Sequence, residues 1–371
     1  MDKKVFIAIG VAISVAMAIL ALIPTTPQTE EPPKPIEILK NQKLGLVINT
    51  PTPQVTLDQL KDVYYEASLT GAGRTNLYLF WNHIEPQQDQ YNWKDTDILM
   101  SFNKNNGLQT TLYFSVVNGR IVGPYPEWMG TPGFGTSLEQ KTVKVLDAIL
   151  SRYDGVIDYV IIGGSLDSYF DDAEGSVGLY KEFFDNVYSE IKQKHPNVKM
   201  GNAFSLNNVL NKKLEHYVSD VGAQGDFVAF TYLPVDRLNE ISKTPQEAQA
   251  DLQKALELVP GKQVAFFEVS WGTDDYVLGS EEDQAEFVKA AYEFYRQNSS
   301  KIEFFSWYRQ FDRPEGSCTI QEEFPESTVE IAGDQYVRER LGSYTCSAGL
   351  IKTDNTPKPA WGELKKQIQS G

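Results

Sequence analysis

The chain has 371 residues, with 50 Asp plus Glu against 34 Lys plus Arg. Its formal charge of −16 has the wrong sign for gripping a phosphate backbone, so no nucleic-acid partner is expected. Apolar residues make up 41% and charged ones 23%, which supplies a full core and excludes bulk disorder. The two cysteines and three histidines, Cys318, Cys346, His83, His195 and His216, are too scattered for a CxxC or HExxH zinc site, and no metal or other cofactor is expected.

Residues 5–23 read VFIAIGVAISVAMAILALI without a charge, about the length a helix needs to cross a bilayer. Lys3 and Lys4 precede this stretch, so residues 1–4 are read as a cytoplasmic stub and everything after residue 23 as extracellular. The expectation is a single-pass anchor in the cell membrane. The alternative is a cleaved signal peptide and a secreted protein. Residues 24–36 are rich in proline and lack a large apolar cluster, which predicts an extended spacer. The folded body is expected over residues 37–371.

From there one pattern repeats: a short apolar, β-branched or aromatic run, a polar loop, then a stretch with apolar residues three and four apart. Strands are predicted at 43–49, 76–81, 109–116, 159–163, 199–204, 227–232, 263–268 and 301–307. Helices are predicted at 55–69, 94–106, 137–153, 176–194, 207–219, 245–259, 281–298 and 358–369. Eight strand–helix units predict an α/β fold with a parallel sheet closed as a (β/α)8 TIM barrel, whose reactive groups sit at the C-terminal strand ends. An open doubly wound sheet is the rival, but it would show a G-x-G-x-x-G turn after an early strand, and none is present. Outside the cytoplasm Cys318 and Cys346 are expected to pair, two buried free thiols being the alternative.

The strand ends hold the candidate chemistry. QVAFFEVSW places Glu268 after four apolar residues at the seventh strand's end, where a charge is either a reactive carboxylate or part of an ion pair at the rim. Tyr232 ends the sixth strand and Trp307 the eighth. A phenol can donate to a carboxylate, and an indole can stack on the apolar face of a sugar ring. Either could equally be barrel filling.

The second strand and its loop read RTNLYLFWNHIEPQQDQYNWKDTD, with Arg74, Trp81, Ile84, Glu85, Pro86, Tyr91, Trp93 and Asp97 in sequence. This run resembles the clan A glycoside hydrolases, retaining enzymes on (β/α)8 barrels. Pro126-Glu127-Trp128, Thr231-Tyr232, Gly349-Leu350-Ile351 and Pro357-Lys358-Pro359-Ala360-Trp361 extend the likeness over about residues 44–364. The resemblance implies a glycan partner and β-linkage hydrolysis with Glu268 as nucleophile. It implies Tyr232 as the hydrogen-bond partner of Glu268, Trp307 as a sugar platform and Arg74 on the site floor. Trp81 and Asn82 join as substrate-binding candidates, while Glu85 matches a structural glutamate.

One part of the pattern departs. A retaining enzyme needs a second carboxyl group about 5–5.5 Å from the nucleophile, which the family takes from an asparagine–glutamate pair ending the fourth strand. Here the strand ends YVIIGGSLDSYF, with Gly164 and Ser165 in those slots. A serine hydroxyl does not act as that acid at neutral pH. Asp167 is then the candidate for a displaced acid, with Asp171 and Asp172 behind it. The alternative is a catalytically inactive glycan-binding or cell-envelope protein on the same fold.

Overall fold

The computed structural model describes residues 38–318 and 335–370. The expected anchor and spacer, 5–23 and 24–36, lie outside them. Among the described residues no helix is long and apolar enough to cross a membrane.

Among the described residues nine strands follow in chain order: β1 (Asn41–Leu46), β2 (Ala72–Leu79), β3 (Gln109–Asn118), β4 (Ile121–Val122), β5 (Ile157–Gly164), β6 (Lys199–Ser205), β7 (Phe227–Tyr232), β8 (Gln263–Val269) and β9 (Ile302–Trp307). β4 is a short antiparallel return on the end of β3. The other eight run parallel in the order β2-β1-β9-β8-β7-β6-β5-β3, and pairing of β2 with β3, Arg74 opposite Gln109 through Leu79 opposite Phe114, closes the circle. The closed barrel predicted from eight strand–helix units is the observed architecture.

The helices between strands are α1 (Leu57–Ser68), α2 (Trp81–Ile84), α3 (Lys94–Asn105), α4 (Thr136–Arg152), α5 (Leu166–Asp172), α6 (Val177–Lys194), α7 (Leu206–Lys212), α8 (Glu215–Gly222), α9 (Pro245–Leu258) and α10 (Glu281–Asn298). α11 (Gln335–Cys346) and α12 (Pro359–Gln369) follow β9. Their starts are written in local chemistry. Thr56 and Gln59 form a reciprocal capping box at α1, and Thr244 and Glu247 form another at α9, where Pro245 holds the first position. Each such cap stabilises its helix by roughly 1 kcal/mol.

The expected helix over 207–219 is two pieces, α7 and α8, parted at Lys213 with φ 62°. The run Asn211-Lys212-Lys213 has no apolar residue to bury, so the helix turns there and resumes at Glu215. α5 was not expected. It starts directly after β5, where Ser165 takes φ 50° and turns the chain back on itself.

Two cores result. Outward side chains such as Val264, Phe266 and Val269 pack against the helices, while Tyr113, Ile161, Ala203, Phe227, Ala229, Ala265, Phe267 and Phe304 fill the barrel. This is a packed interior, as barrels of this size require. Cys318 and Cys346 form a disulfide with Cα atoms 5.5 Å apart, and free thiols are excluded among the described residues. Nearby, the buried Lys358 ammonium bonds Asp312 Oδ1 at 2.8 Å, Thr273 Oγ1 at 2.9 Å and the Ser347 carbonyl at 2.9 Å, fastening the C-terminal segment to the barrel.

Candidate functional site

Strict alternation along β8 would send Glu268 outward with Val264 and Phe266. The strand does not alternate strictly. Phe230 of β7 pairs with Phe266, but Thr231 pairs with Glu268, so Phe267 is an extra residue. A bulge of this kind re-aims a side chain. Here it turns both Phe267 and Glu268 into the barrel and returns Val269 to the helix side.

Glu268 is partly exposed at the C-terminal end of β8. Its Oε1 accepts a short hydrogen bond from the Tyr78 hydroxyl on β2. Asn76, two residues earlier on the same inward face, donates to the Phe267 carbonyl at 3.0 Å, while its buried Oδ1 has no partner among the described residues. Tyr113 lies opposite Tyr78 on β3, with ring centroids 5.9 Å apart, and stacks on Phe267 at 6.0 Å. Burial first, and then the Glu268 charge, push the phenols of Tyr78 and Tyr113 well above the ordinary tyrosine range. The charge of Arg309 works against this at Tyr78. Both phenols are therefore neutral hydrogen-bond donors at physiological pH.

Gly164, at the end of β5, faces Tyr113. A Cβ built there would lie 2.7 Å from the Tyr113 Cζ and closer still to its hydroxyl. The phenol occupies the space a β5 side chain would need, and its hydroxyl is engaged with Asn118 Oδ1 at 2.8 Å.

The other expected site residues fall elsewhere. Tyr232 does not reach Glu268: its hydroxyl donates to Asp251 Oδ2 on α9 at 2.9 Å, and its ring packs on Phe287 of α10. Trp307, level with Val269, also faces outward, fully buried with its ring 5.9 Å from Phe287. It offers no sugar platform. Strict alternation along β7 and β9 is the cause: Tyr232 follows Val228 and Phe230, and Trp307 follows Phe305, onto the helix side.

Arg74 is buried, but its guanidinium pairs with Asp158 at 2.5 Å and lies 4.3 Å over the Tyr159 ring. The carboxylate it supports is that of Asp158, not Glu268. Trp81 is fully buried; its indole donates to Glu85 Oε2 at 2.8 Å, and its ring packs on Phe114 and Tyr125. It therefore shapes the loop and touches no open space. Glu85 also accepts from Asp89 N at 2.9 Å. Asn82 is partly buried, and neither of its amide atoms has a partner among the described residues.

Asp167 is fully buried and turned toward β6 and α7, where Oδ1 accepts from Ser205 N at 2.7 Å and Oδ2 from Asn208 Nδ2 at 2.5 Å. Asp171 pairs with Lys212 at 2.8 Å and Asp172 with Arg120 at 3.3 Å. All three acids are committed to other groups.

Tyr78 and Tyr113 are the residues that reading of the sequence missed. The signal was there: Arg74, Asn76 and Tyr78 share one parity of β2, and Thr111 and Tyr113 share one parity of β3, which puts two phenols side by side inside the barrel.

No family model matches the chain, and no curated protein matches it. Solved structures do. A family 39 glycoside hydrolase from Bacteroides cellulosilyticus superposes with a TM-score of 0.61 at 14% identity over 89% of this chain, which spans 64% of that enzyme's length. A GH5_18 structure from Bifidobacterium longum subsp. infantis gives 0.65 at 13% identity over 90% of this chain and 79% of its own. Xylanase 10B from Thermotoga maritima gives 0.58 at 13% identity over 88% and 94%. At these identities the likeness establishes the barrel fold that this chain shares with glycoside hydrolases.

Proposed function

We propose that the chain binds a glycan at the barrel mouth around Glu268 and does not hydrolyse it by the two-carboxylate route. The observation that carries this reading is at the end of β5, where Ser165 stands in the acid's slot and Tyr113 leaves no room for a side chain at Gly164 beside it, while Asp167, Asp171 and Asp172 are bound to other partners. Retention requires two carboxyl groups about 5–5.5 Å apart. With the partly exposed Glu268 carboxylate and the Tyr78 oxygen, whose proton goes to it, the mouth has acceptors for sugar hydroxyls. The fold shared with glycoside hydrolases supports a saccharide as the ligand class.

A second reading keeps Glu268 as a nucleophile for substrates with activated leaving groups. It is favoured by the partial exposure of Glu268 at a strand's C-terminal end. Aryl β-glycosides whose leaving groups need no protonation separate the two. Oligosaccharide binding without aryl-glycoside turnover is the expected result, and turnover abolished by Glu268→Gln would overturn it in favour of the second reading.

Residues 5–23 are proposed to hold the barrel at the outer face of the cell membrane. Sedimentation of the full chain with the membrane fraction, and its loss when residues 1–36 are removed, is the expected outcome. Recovery of a chain shortened at its N-terminus in the soluble extracellular fraction would favour the cleaved form.

A further inference from the structure

Outside the barrel interior, the segments that follow β5, β6 and β7 enclose a polar groove of about 430 Å3, within the range of small-ligand sites. Four of its lining residues are asparagines: Asn207, Asn208 and Asn211 on α7, and Asn239 in the loop after β7. Each spends one end of its amide on the protein. Asn207 Oδ1 takes the Ser205 hydroxyl at 3.0 Å, Asn208 Nδ2 takes Asp167, Asn211 Nδ2 takes the Val235 carbonyl at 2.9 Å and Asn239 Nδ2 takes the Val337 carbonyl at 2.9 Å. The other ends, Asn207 Nδ2 and the Oδ1 atoms of Asn208, Asn211 and Asn239, carry no hydrogen bond among the described residues. The groove thus holds fixed amides with a donor and three acceptors to spare.

Its charges cancel. Asp171 and Asp236 face Lys212 and Arg237, and Lys212 is already paired with Asp171 at 2.8 Å. A neutral ligand rich in hydroxyls fits such a surface, and the overall charge of −16 disfavours a polyanion.

From Asn239 at the groove's edge a chain of contacts leads to exposed rings. Asn239 bonds the carbonyl beside Tyr336, and the adjacent Glu240 pairs with Arg340 at 2.8 Å. The Arg340 guanidinium lies 4.8 Å from the Tyr276 ring and 3.7 Å from the Tyr336 ring, which meet edge to face at 6.0 Å. This holds Tyr276 in one orientation although it is 41% exposed, with Leu278 beyond it 60% exposed. A ring fixed by a cation, linked to the groove through Arg340, Glu240 and Asn239, adds a stacking surface to the hydrogen bonding of the amides.

We propose that the Asn207–Asn239 groove and the Tyr276 ring form a second oligosaccharide site, separate from the mouth at Glu268. The site takes a neutral glycan chain, with hydroxyls on the amides and one ring face on Tyr276. It does not depend on Glu268 being functional.

The test is calorimetric titration of the full chain with β-1,4-linked gluco-, xylo-, manno- and N-acetylgluco-oligosaccharides of increasing length. At least one series is expected to bind both wild type and Glu268→Gln, and Asn207→Ala/Tyr276→Ala is expected to weaken that binding about tenfold with an unchanged melting temperature. If alanine at 207 disturbs the loop, Asn207→Asp keeps the acceptor for Ser205 and exchanges the spare donor for a charged acceptor, and the same loss is expected. Unchanged binding in the groove variants overturns the proposal, as does the absence of binding by every series to both wild type and Glu268→Gln. A loss seen only with Glu268→Gln also overturns the groove and leaves the mouth reading standing. The reverse pattern supports the groove and removes the mouth.

Discussion

At residue scale, the candidate acid Asp167 illustrates how a side chain is committed by its surroundings. Burial raises its pKa, and the bonds from Asn208 and Ser205 offset this only in part. The native state therefore holds the proton more firmly than the unfolded chain does, and the resulting stability is complete below the unfolded value of about 3.9 and lost as pH rises through the folded one. Asp167→Asn removes that dependence. Relative to wild type, the variant should gain stability between pH 4 and pH 7, as read from urea midpoints at the two pH values; a constant difference would show that the carboxylate is comfortably ionised in place. The bond from Tyr78 to Glu268 makes a second prediction. A hydrogen bond to a charged group contributes about 1.5–3 kcal/mol, so Tyr78→Phe should destabilise by roughly that amount. The loss should largely vanish in a Glu268→Gln background, and additive effects would mean that the pair is not coupled. The sequence made Glu268 legible because a charge after four apolar residues has few places to go. It did not make the partner legible, because the expected Tyr232 lies on the helix side of β7, while the bulge at Phe267 turns Glu268 into the barrel.

Among the elements, β3 and β5 are fitted to each other by one exchange: a large ring at Tyr113 against a bare backbone at Gly164. Overpacking a full core costs about 1–3 kcal/mol, so Gly164→Ala should lower the free energy of unfolding by that amount, and Tyr113→Ala in the same chain should restore most of what the glycine change costs. A double-mutant cycle in urea reads this directly; equal penalties with and without Tyr113 would show that the two strands do not share the space. The element list itself was largely readable, since a period of 2 alternated with a period near 3.6 along the chain. What escaped were departures from periodicity: the two-residue β4, the left-handed Lys213 that parts α7 from α8, and α5, which begins at a residue with positive φ. Backbone conformations of that kind leave no mark in hydrophobic spacing.

For the whole molecule, the count of eight units was enough to predict a closed barrel, because a parallel sheet with amphipathic crossovers buries its edges by closing. The single disulfide adds a crosslink near the end of that closure. Its cysteines are 28 residues apart, for which loop entropy gives about 3.5 kcal/mol, or about 5 °C in melting temperature for a domain of this size. Reduction, or serine at both Cys318 and Cys346, should lower Tm by that much, and an unchanged melting curve would show that the bridge contributes nothing. The sheet order has a consequence for synthesis. β1 is made first, yet one of its two neighbours is β9, Leu44 opposite Phe305 and Leu46 opposite Trp307. At about 5–20 residues per second, the ribosome needs some tens of seconds to deliver that neighbour. For that interval the nascent chain carries an open strand edge, the kind of surface that chaperones cover and that neighbouring nascent chains can capture.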